Sequence, residues 1–435
     1  MGKSIFRSFH IVHLPWLFIM ILAVPALLSG CQNPPDMETP AFPTAKGAPP
    51  AINFMYSSSL NSRAIENFLG KKMENTPAAI STSVIDNDQY SERLNLLFKS
   101  GEQPDVFEIR QEWLYTYIRE GWLTDLFNDS DSSFLAGFPE WALNMGGNGD
   151  KKAIYALPAS ELTVRLLYNK QLFISAGLDP GSPPGTWDAL ENDARIISAR
   201  GIGFKQYGFA IPIDDGRLCF SLMEAANTRS GLYYYDFANK KYNLTVYAGW
   251  LEMIGRMEED GSLFPTSDML KYNQCLDQFA LGHIGMILAF SDALQVLGDL
   301  QTQVDWGVAM PPTWTGAESA EMQIIPYHFF AVSAESQWPE AAAELWRSLY
   351  DKELWASLYE SDNCLPVFTG ILTNSQKSPE TPGYAFHPTE KEAVYPLTPQ
   401  ETDDWGRFDA YINAIHSPQT AADILLKATA ALNSR

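Results

Sequence analysis

Few residues in this chain are arranged for chemistry, and the clearest of them is a thiol. Cys31 follows Leu28-Ser29-Gly30. Before it, residues 11–28 are almost wholly apolar, interrupted by His13, Pro15 and Pro25, with Lys3 and Arg7 at the front. A basic start, an apolar middle and small residues ahead of a cut make a secretory signal. The two prolines suit a stable membrane-spanning helix poorly. A cysteine at the cut offers a nucleophile that can form a thioether. The 52 acidic residues always allow some pair about 5–10 Å apart, the spacing that glycoside hydrolysis needs, yet no pair carries a local motif. There is no G-x-S-x-G elbow, no P-loop and no H-E-x-x-H. The six histidines are scattered, none at zinc-ligand spacing from another histidine or from a cysteine. No catalytic residue, no metal site and no cofactor are expected; a secreted glycoside hydrolase is the weaker alternative to a binding protein.

Charge narrows the partners. The formal net charge is −22 over 435 residues, and no basic run or basic helix interrupts the acidity. Such a surface repels phosphate backbones, so nucleic acid is excluded. The same acidity keeps an exported protein soluble beside a membrane. The length fits two lobes better than one core. With 12 Trp, 19 Tyr and 24 Phe, most aromatics must be core, but the surplus suits a cleft that stacks sugars or peptides. Besides Cys31, only Cys219, Cys275 and Cys364 remain, with no C-x-x-C spacing. Three thiols allow at most one disulfide, and buried free thiols are the expectation.

The elements that must position a site follow from periodicity. Residues 32–50 hold six prolines and little apolar pattern, which reads as an extended tether. Strands are predicted at 51–56, 79–85, 104–109, 153–158, 162–168, 204–211, 284–288 and 306–310. Helices are predicted at 61–72 and 91–99, another begins at Trp187, and one runs from Pro339 to Tyr350 with the proline in its first turn. Thr186, after the turn Pro183-Pro184-Gly185, is a helix N-cap. Strands alternating with helices at this spacing imply parallel sheet with crossover helices.

Two resemblances add to this reading. Leu28-Ser29-Gly30-Cys31 resembles the lipobox of bacterial lipoproteins. That implies cleavage after residue 30, a diacylglycerol thioether on Cys31, fatty acylation, and anchoring on the extracytoplasmic face of the cell membrane. A longer series of motifs is similar to the extracellular solute-binding proteins of ABC importers, the group that includes maltose-binding protein. Pro104-Asp105-Val106 and Gly121-Trp122-Leu123-Thr124-Asp125-Leu126 open the series. Ile154-Tyr155-Ala156-Leu157-Pro158, Leu166-Leu167-Tyr168-Asn169-Lys170, Ala176-Gly177-Leu178 and Pro183-Pro184-Gly185-Thr186-Trp187 follow. Phe279-Ala280-Leu281-Gly282-His283-Ile284-Gly285-Met286 has Gly285 where the family usually has alanine. Trp306-Gly307-Val308-Ala309-Met310-Pro311-Pro312 and Leu365-Pro366-Val367 complete it.

The second resemblance implies an α/β, two-lobe periplasmic-binding-protein-like fold of type II with a ligand cleft between the lobes. Lobe 1 would comprise 51–160 and about 311–352, and lobe 2 about 161–310 and 353–435. It implies a monomeric receptor that passes a small-molecule solute, carbohydrate above all, to permease subunits. A surface sensor or adhesion module on the same fold is the alternative. Clefts in such lobes lie at the carboxyl ends of strands. That rule selects Tyr56, Ser57 and Ser58, then Glu112 and Trp113, then Glu161. The resemblance adds Arg217, Phe220, Ser291, Asp292, Tyr327, His328 and Trp405. Two departures fall at ligand-facing positions: Phe290-Ser291-Asp292 where tryptophan is common, and Tyr327-His328 where paired glycines are common.

Overall fold

The computed structural model describes residues 51–73, 78–127, 130, 132–147, 153–200, 205–213, 216–236, 238–265, 271–314, 322–368, 371, 382–389, 392–394 and 421–434. Cys31, its tether and Trp405 lie outside them. Among the described residues no helix is long and apolar enough to cross a membrane.

The strands in chain order are β1 (Ala51–Ser57), β2 (Ala79–Ile85), β3 (Val106–Ile109), β4 (Ala156–Leu162), β5 (Val164–Asn169), β6 (Tyr207–Ala210), β7 (Tyr235–Asp236), β8 (Lys241–Tyr242), β9 (Ile284–Phe290), β10 (Trp306–Ala309), β11 (Met322–Val332), β12 (Leu365–Pro366) and β13 (Glu392–Val394). One sheet has the order β12-β4-β11-β3-β1-β2, with β13 paired to β11; a second has the order β10-β5-β9-β6; β7 and β8 form a small pair. Each large sheet belongs to one lobe.

The sheets are mixed where the sequence implied parallel pairing throughout. β1 runs parallel to β2 and β3, and β6 parallel to β9. β11 is antiparallel to β3 and β4, β12 to β4, and β5 to both β9 and β10. The reason is the crossing at Thr163. β4 and β5 are separated by that one residue, so the chain passes from one sheet to the other without a crossover helix.

Side-chain alternation explains why the first sheet is covered on both faces. In β1, Ile52, Phe54 and Tyr56 join one cluster with Trp346 and Trp355, while Met55 joins another with Tyr90 and Tyr117. In the second lobe, Trp187, Leu190, Ala194 and Ile197 lie on one face of helix Trp187–Ala199 and pack on β6 and β9. Thr186 caps that helix by accepting from the Ala189 amide at 3.2 Å. Gly285 has a packing cause: a Cβ there would meet Ile197 Cδ1 at 2.9 Å and the Gly208 carbonyl at 3.0 Å, so alanine does not fit without movement.

Lobe membership differs from the expected boundaries in more than one stretch. Thr313 and Trp314 were expected in lobe 1, but Thr313 bridges Thr186 and Trp314 packs on Trp187 and Trp250 of the second lobe. Helix Lys352–Asp362, but for its first residue, and β12 fall within the 353–435 stretch expected in lobe 2. Yet Leu354, Trp355, Leu358, Val367 and Phe368 pack in the core that contains Ile52 and Phe54, and β12 pairs with β4. Apolar burial against the nearest large core decides this. Phe386, Leu425 and Leu432 lie in the second lobe's core. Cys219, Cys275 and Cys364 form no disulfide with one another.

Candidate functional site

The two sheets meet where β1 and β3 end, where β11 crosses, and where β9 ends. At that seam one carboxylate organises the first lobe's side. Glu108, on β3, is fully buried. Its Oε2 accepts from the Ser57 amide at 2.8 Å, and its Oε1 lies 2.9 Å from His328 Nδ1. With a carboxylate as partner, that ring nitrogen is the donor. The Tyr90 hydroxyl lies 2.6 Å from the Glu108 carbonyl and 3.0 Å from the Met55 carbonyl, joining β3 to β1. Burial alone would raise the Glu108 carboxyl; His328 and Arg110 outweigh it and hold the group down at about 2.

An aromatic wall stands next to this pair. Tyr327 is half-buried, its ring 4.1 Å from that of His328 and 5.2 Å beneath the Arg110 guanidinium, a cation–π arrangement. Arg110 also bonds Asn87 Oδ1. Tyr327 packs against the second lobe's core, so it sits on the seam itself. From that lobe comes Asp292, after β9. Its Oδ1 lies 3.5 Å from the Tyr272 hydroxyl, which accepts from the Phe290 amide at 2.8 Å. Burial pushes the Asp292 carboxyl up to about 6, opposed by the Tyr272 bond and by Arg110. Asn363, from the first lobe, donates to the Ser291 carbonyl at 3.2 Å. The seam thus presents a guanidinium, a carboxyl, hydroxyls and an aromatic face, groups whose chemistry suits a polar ring.

The sequence-selected residues divide sharply. Ser57, Ser291, Asp292, Tyr327 and His328 come together here. Ser291 Oγ has no hydrogen-bond partner among the described residues. Ser58 is exposed, its hydroxyl accepting from the Asn87 amide at 3.0 Å. Tyr56 points into the core, stacked on Phe54 at 4.8 Å; the strand's alternation turns it away from Ser57. Trp113 packs edge-on against Tyr117 at 6.5 Å, and Phe220 packs on Tyr247 at 5.0 Å. Both rings are partly buried against those cores. Glu161 is buried at the back of the crossing, where burial and the nearby Glu392 push its carboxyl up to about 8. Glu112 and Arg217 lie in helices Gln111–Arg119 and Gly216–Arg229, but their side chains, like the whole of Trp405, are outside the described residues.

Sequence reasoning missed Glu108 and Arg110. The strand-end rule was applied one step too late, at 112 and 113, whereas the strand's last residues face the seam. An acid inside the apolar run Val106-Phe107-Glu108-Ile109 was the available signal, because a buried carboxylate requires partners. Behind the crossing lies a second polar cluster. Arg165 is 1% exposed and uses every guanidinium N–H: Nε to the Ala385 carbonyl, Nη1 to the Val164 carbonyl and Glu392 Oε1, Nη2 to the His387 carbonyl and Glu392 Oε2, at 2.8–3.0 Å. Thr163 Oγ1 donates to the Phe386 carbonyl at 2.6 Å.

Known proteins place this architecture. A solute-binding protein of Thermotoga lettingae, solved with α-D-tagatose, aligns over 88% of this chain and 99% of its own, with TM-score 0.76 and 16% identity. An ABC substrate-binding protein of Listeria monocytogenes, solved with cycloalternan, aligns over 89% of this chain and 98% of its own, with TM-score 0.72 and 18% identity. Among curated sequences, a Brucella abortus chain described only as a binding protein is 23% identical over 343 residues, 72% of this chain and 78% of that one. A Sinorhizobium fredii chain named for amino-acid ABC transport is 29% identical over 137 residues, 30% of each. The family model for bacterial extracellular solute-binding proteins matches residues 57–353, which hold strands of both sheets and the seam between them, and the chain belongs to that family.

Proposed function

We propose that this protein is the solute receptor of an ABC importer, lipid-anchored through Cys31, and that its cargo is a carbohydrate, an oligosaccharide or a sugar derivative. The observation that carries the reading is the seam: Arg110 from one lobe and Asp292 from the other flank the half-buried ring of Tyr327. A sugar ring offers an apolar C–H face to an aromatic and hydroxyls to planar charged groups. The solute would touch both lobes only when they close, and that differential contact drives closure. The sugar complexes of the Listeria and Thermotoga proteins support the class.

A second reading has its own support. Arg110 and Asp292 could take the carboxylate and the ammonium of an amino acid, the cargo for which the Sinorhizobium relative is named. Thermal shift decides between them, because a solute that binds only the folded state raises its melting temperature. The panel is raffinose, maltotriose, tagatose, and glutamate and lysine as amino-acid controls. A rise with a sugar and none with the amino acids is expected; the reverse overturns the carbohydrate assignment. For the anchor, Cys31→Ser should block processing and keep residues 1–30. Native protein found free in the medium with an unmodified Cys31 would overturn that part.

A further inference from the structure

His328 sits in the middle of a strand with φ +49°. A side-chain-bearing residue rarely adopts this left-handed conformation, and such outliers persist only where the surroundings over-determine them. Here the surroundings are visible. The imidazole is 3% exposed, 2.9 Å from Glu108 Oε1, and its ring lies between those of Tyr327 at 4.1 Å and Trp355 at 6.1 Å. Glu108 is itself pinned by the Ser57 amide.

The outlier marks a joint. After it, Phe329 and Ala331 pack with Phe107 and Tyr117 on one face, and Phe330 and Val332 with Phe54 and Trp346 on the other. Before it, Ile325 and Tyr327 pack against the second lobe's core. Tyr327 still pairs with Ser160 of β4, and the backbone turn at His328 sets its ring toward the second lobe's core and under Arg110.

From this we infer that His328 and Glu108 are positioning residues of the solute site: the buried pair fixes the ring of Tyr327, so affinity depends on two side chains too buried to touch a solute. The inference rests on the seam being the solute site, but its first test needs no solute. The full processed chain is labelled with 3-fluorotyrosine, and the Tyr327 fluorine resonance is assigned by its loss in Tyr327→Phe. His328→Gly keeps a residue at ease with positive φ but removes the imidazole. Glu108→Gln keeps the shape and removes the charge. Both should move or broaden the Tyr327 signal while circular dichroism stays native. His328→Asn, which tolerates this φ and can still donate to Glu108, should restore much of it. An unmoved Tyr327 signal in Glu108→Gln or in a folded His328→Gly overturns the inference; if His328→Gly does not fold, Glu108→Gln still decides. Raffinose binding by calorimetry is the second arm, with affinity expected to fall at least tenfold in Glu108→Gln and His328→Gly. Should raffinose not bind the parent protein, the fluorine result stands by itself and the fault lies with the assigned cargo.

Discussion

The front and the back of the lobe crossing bury charge in opposite ways. At the back, Arg165 and Glu392 are almost fully enclosed and the guanidinium is saturated, with five N–H groups on five acceptors. At the front, Arg110 and Asp292 act on each other electrostatically, and a half-buried aromatic lies beside them. A closed set of partners is a pin, since nothing is left for a guest. Groups drawn from both lobes around a half-buried ring make the proposed solute site. The difference separates structure from function even though both clusters contain an arginine and an acid.

Breaking the back should cost the most. Arg165→Leu leaves Glu392 buried and unpaired, and removing one member of a buried pair destabilises by about 3–5 kcal/mol. Chemical denaturation should register this loss. If solute affinity falls while stability holds, the pin has been misassigned.

Glu161, beside that pin, gives the next largest effect. Its carboxyl sits at about 8 in the folded chain, above its ordinary 4.5. Because the folded state holds the proton more tightly, this group's stabilising contribution is full below pH 4.5 and is lost as pH rises through about 8. Melting temperature should therefore fall between pH 6 and 8.5. Glu161→Gln should flatten that slope, worth on the order of 2–4 kcal/mol at the alkaline end. Asp292, whose window closes near pH 6, does not interfere there. An unchanged slope in Glu161→Gln would refute the assignment.

Opening the front further should change binding more than folding. Asp292→Asn and Tyr327→Ala are each expected to weaken solute affinity by about 5- to 150-fold, equivalent to roughly 1–3 kcal/mol. Melting of the solute-free Asp292→Asn protein should stay within about 1 kcal/mol of the parent. Calorimetry with the sugar that gives the largest thermal shift measures both. The smallest effect should come from Trp113→Phe, which keeps an aromatic against Tyr117; its affinity should match the parent's. A large loss of binding there would return Trp113 to the solute wall.

The same contrast explains what the sequence revealed. Local rules were readable because their causes are local: Thr186 three residues before the amide it caps, and the apolar stripe Trp187, Leu190, Ala194, Ile197. The strand-end rule selected Ser57, and the resemblance selected Ser291 and Asp292; all three lie at the seam. Strand-end position does not tell which way a side chain turns: Tyr56 stacks on Phe54 in the core, and Trp113 packs against Tyr117. Glu108 was hidden because its partners stand 51 and 220 residues away, and no window along the chain contains all three. Arg165 was hidden likewise, its strap lying 220–227 residues downstream.

The position of β11 also sets an order of events during synthesis. It lies between β3 and β4 in the finished sheet, yet it follows the whole 164–309 span that builds most of the second lobe. Until it emerges, β3 and β4 have exposed inner edges, and unpaired edges invite association with other chains. The second lobe can gather its sheet from strands already made, whereas the first must wait with a gap at its centre. A chain built this way gains from being kept unfolded until its late strand is available, as it is when threaded through a membrane for export.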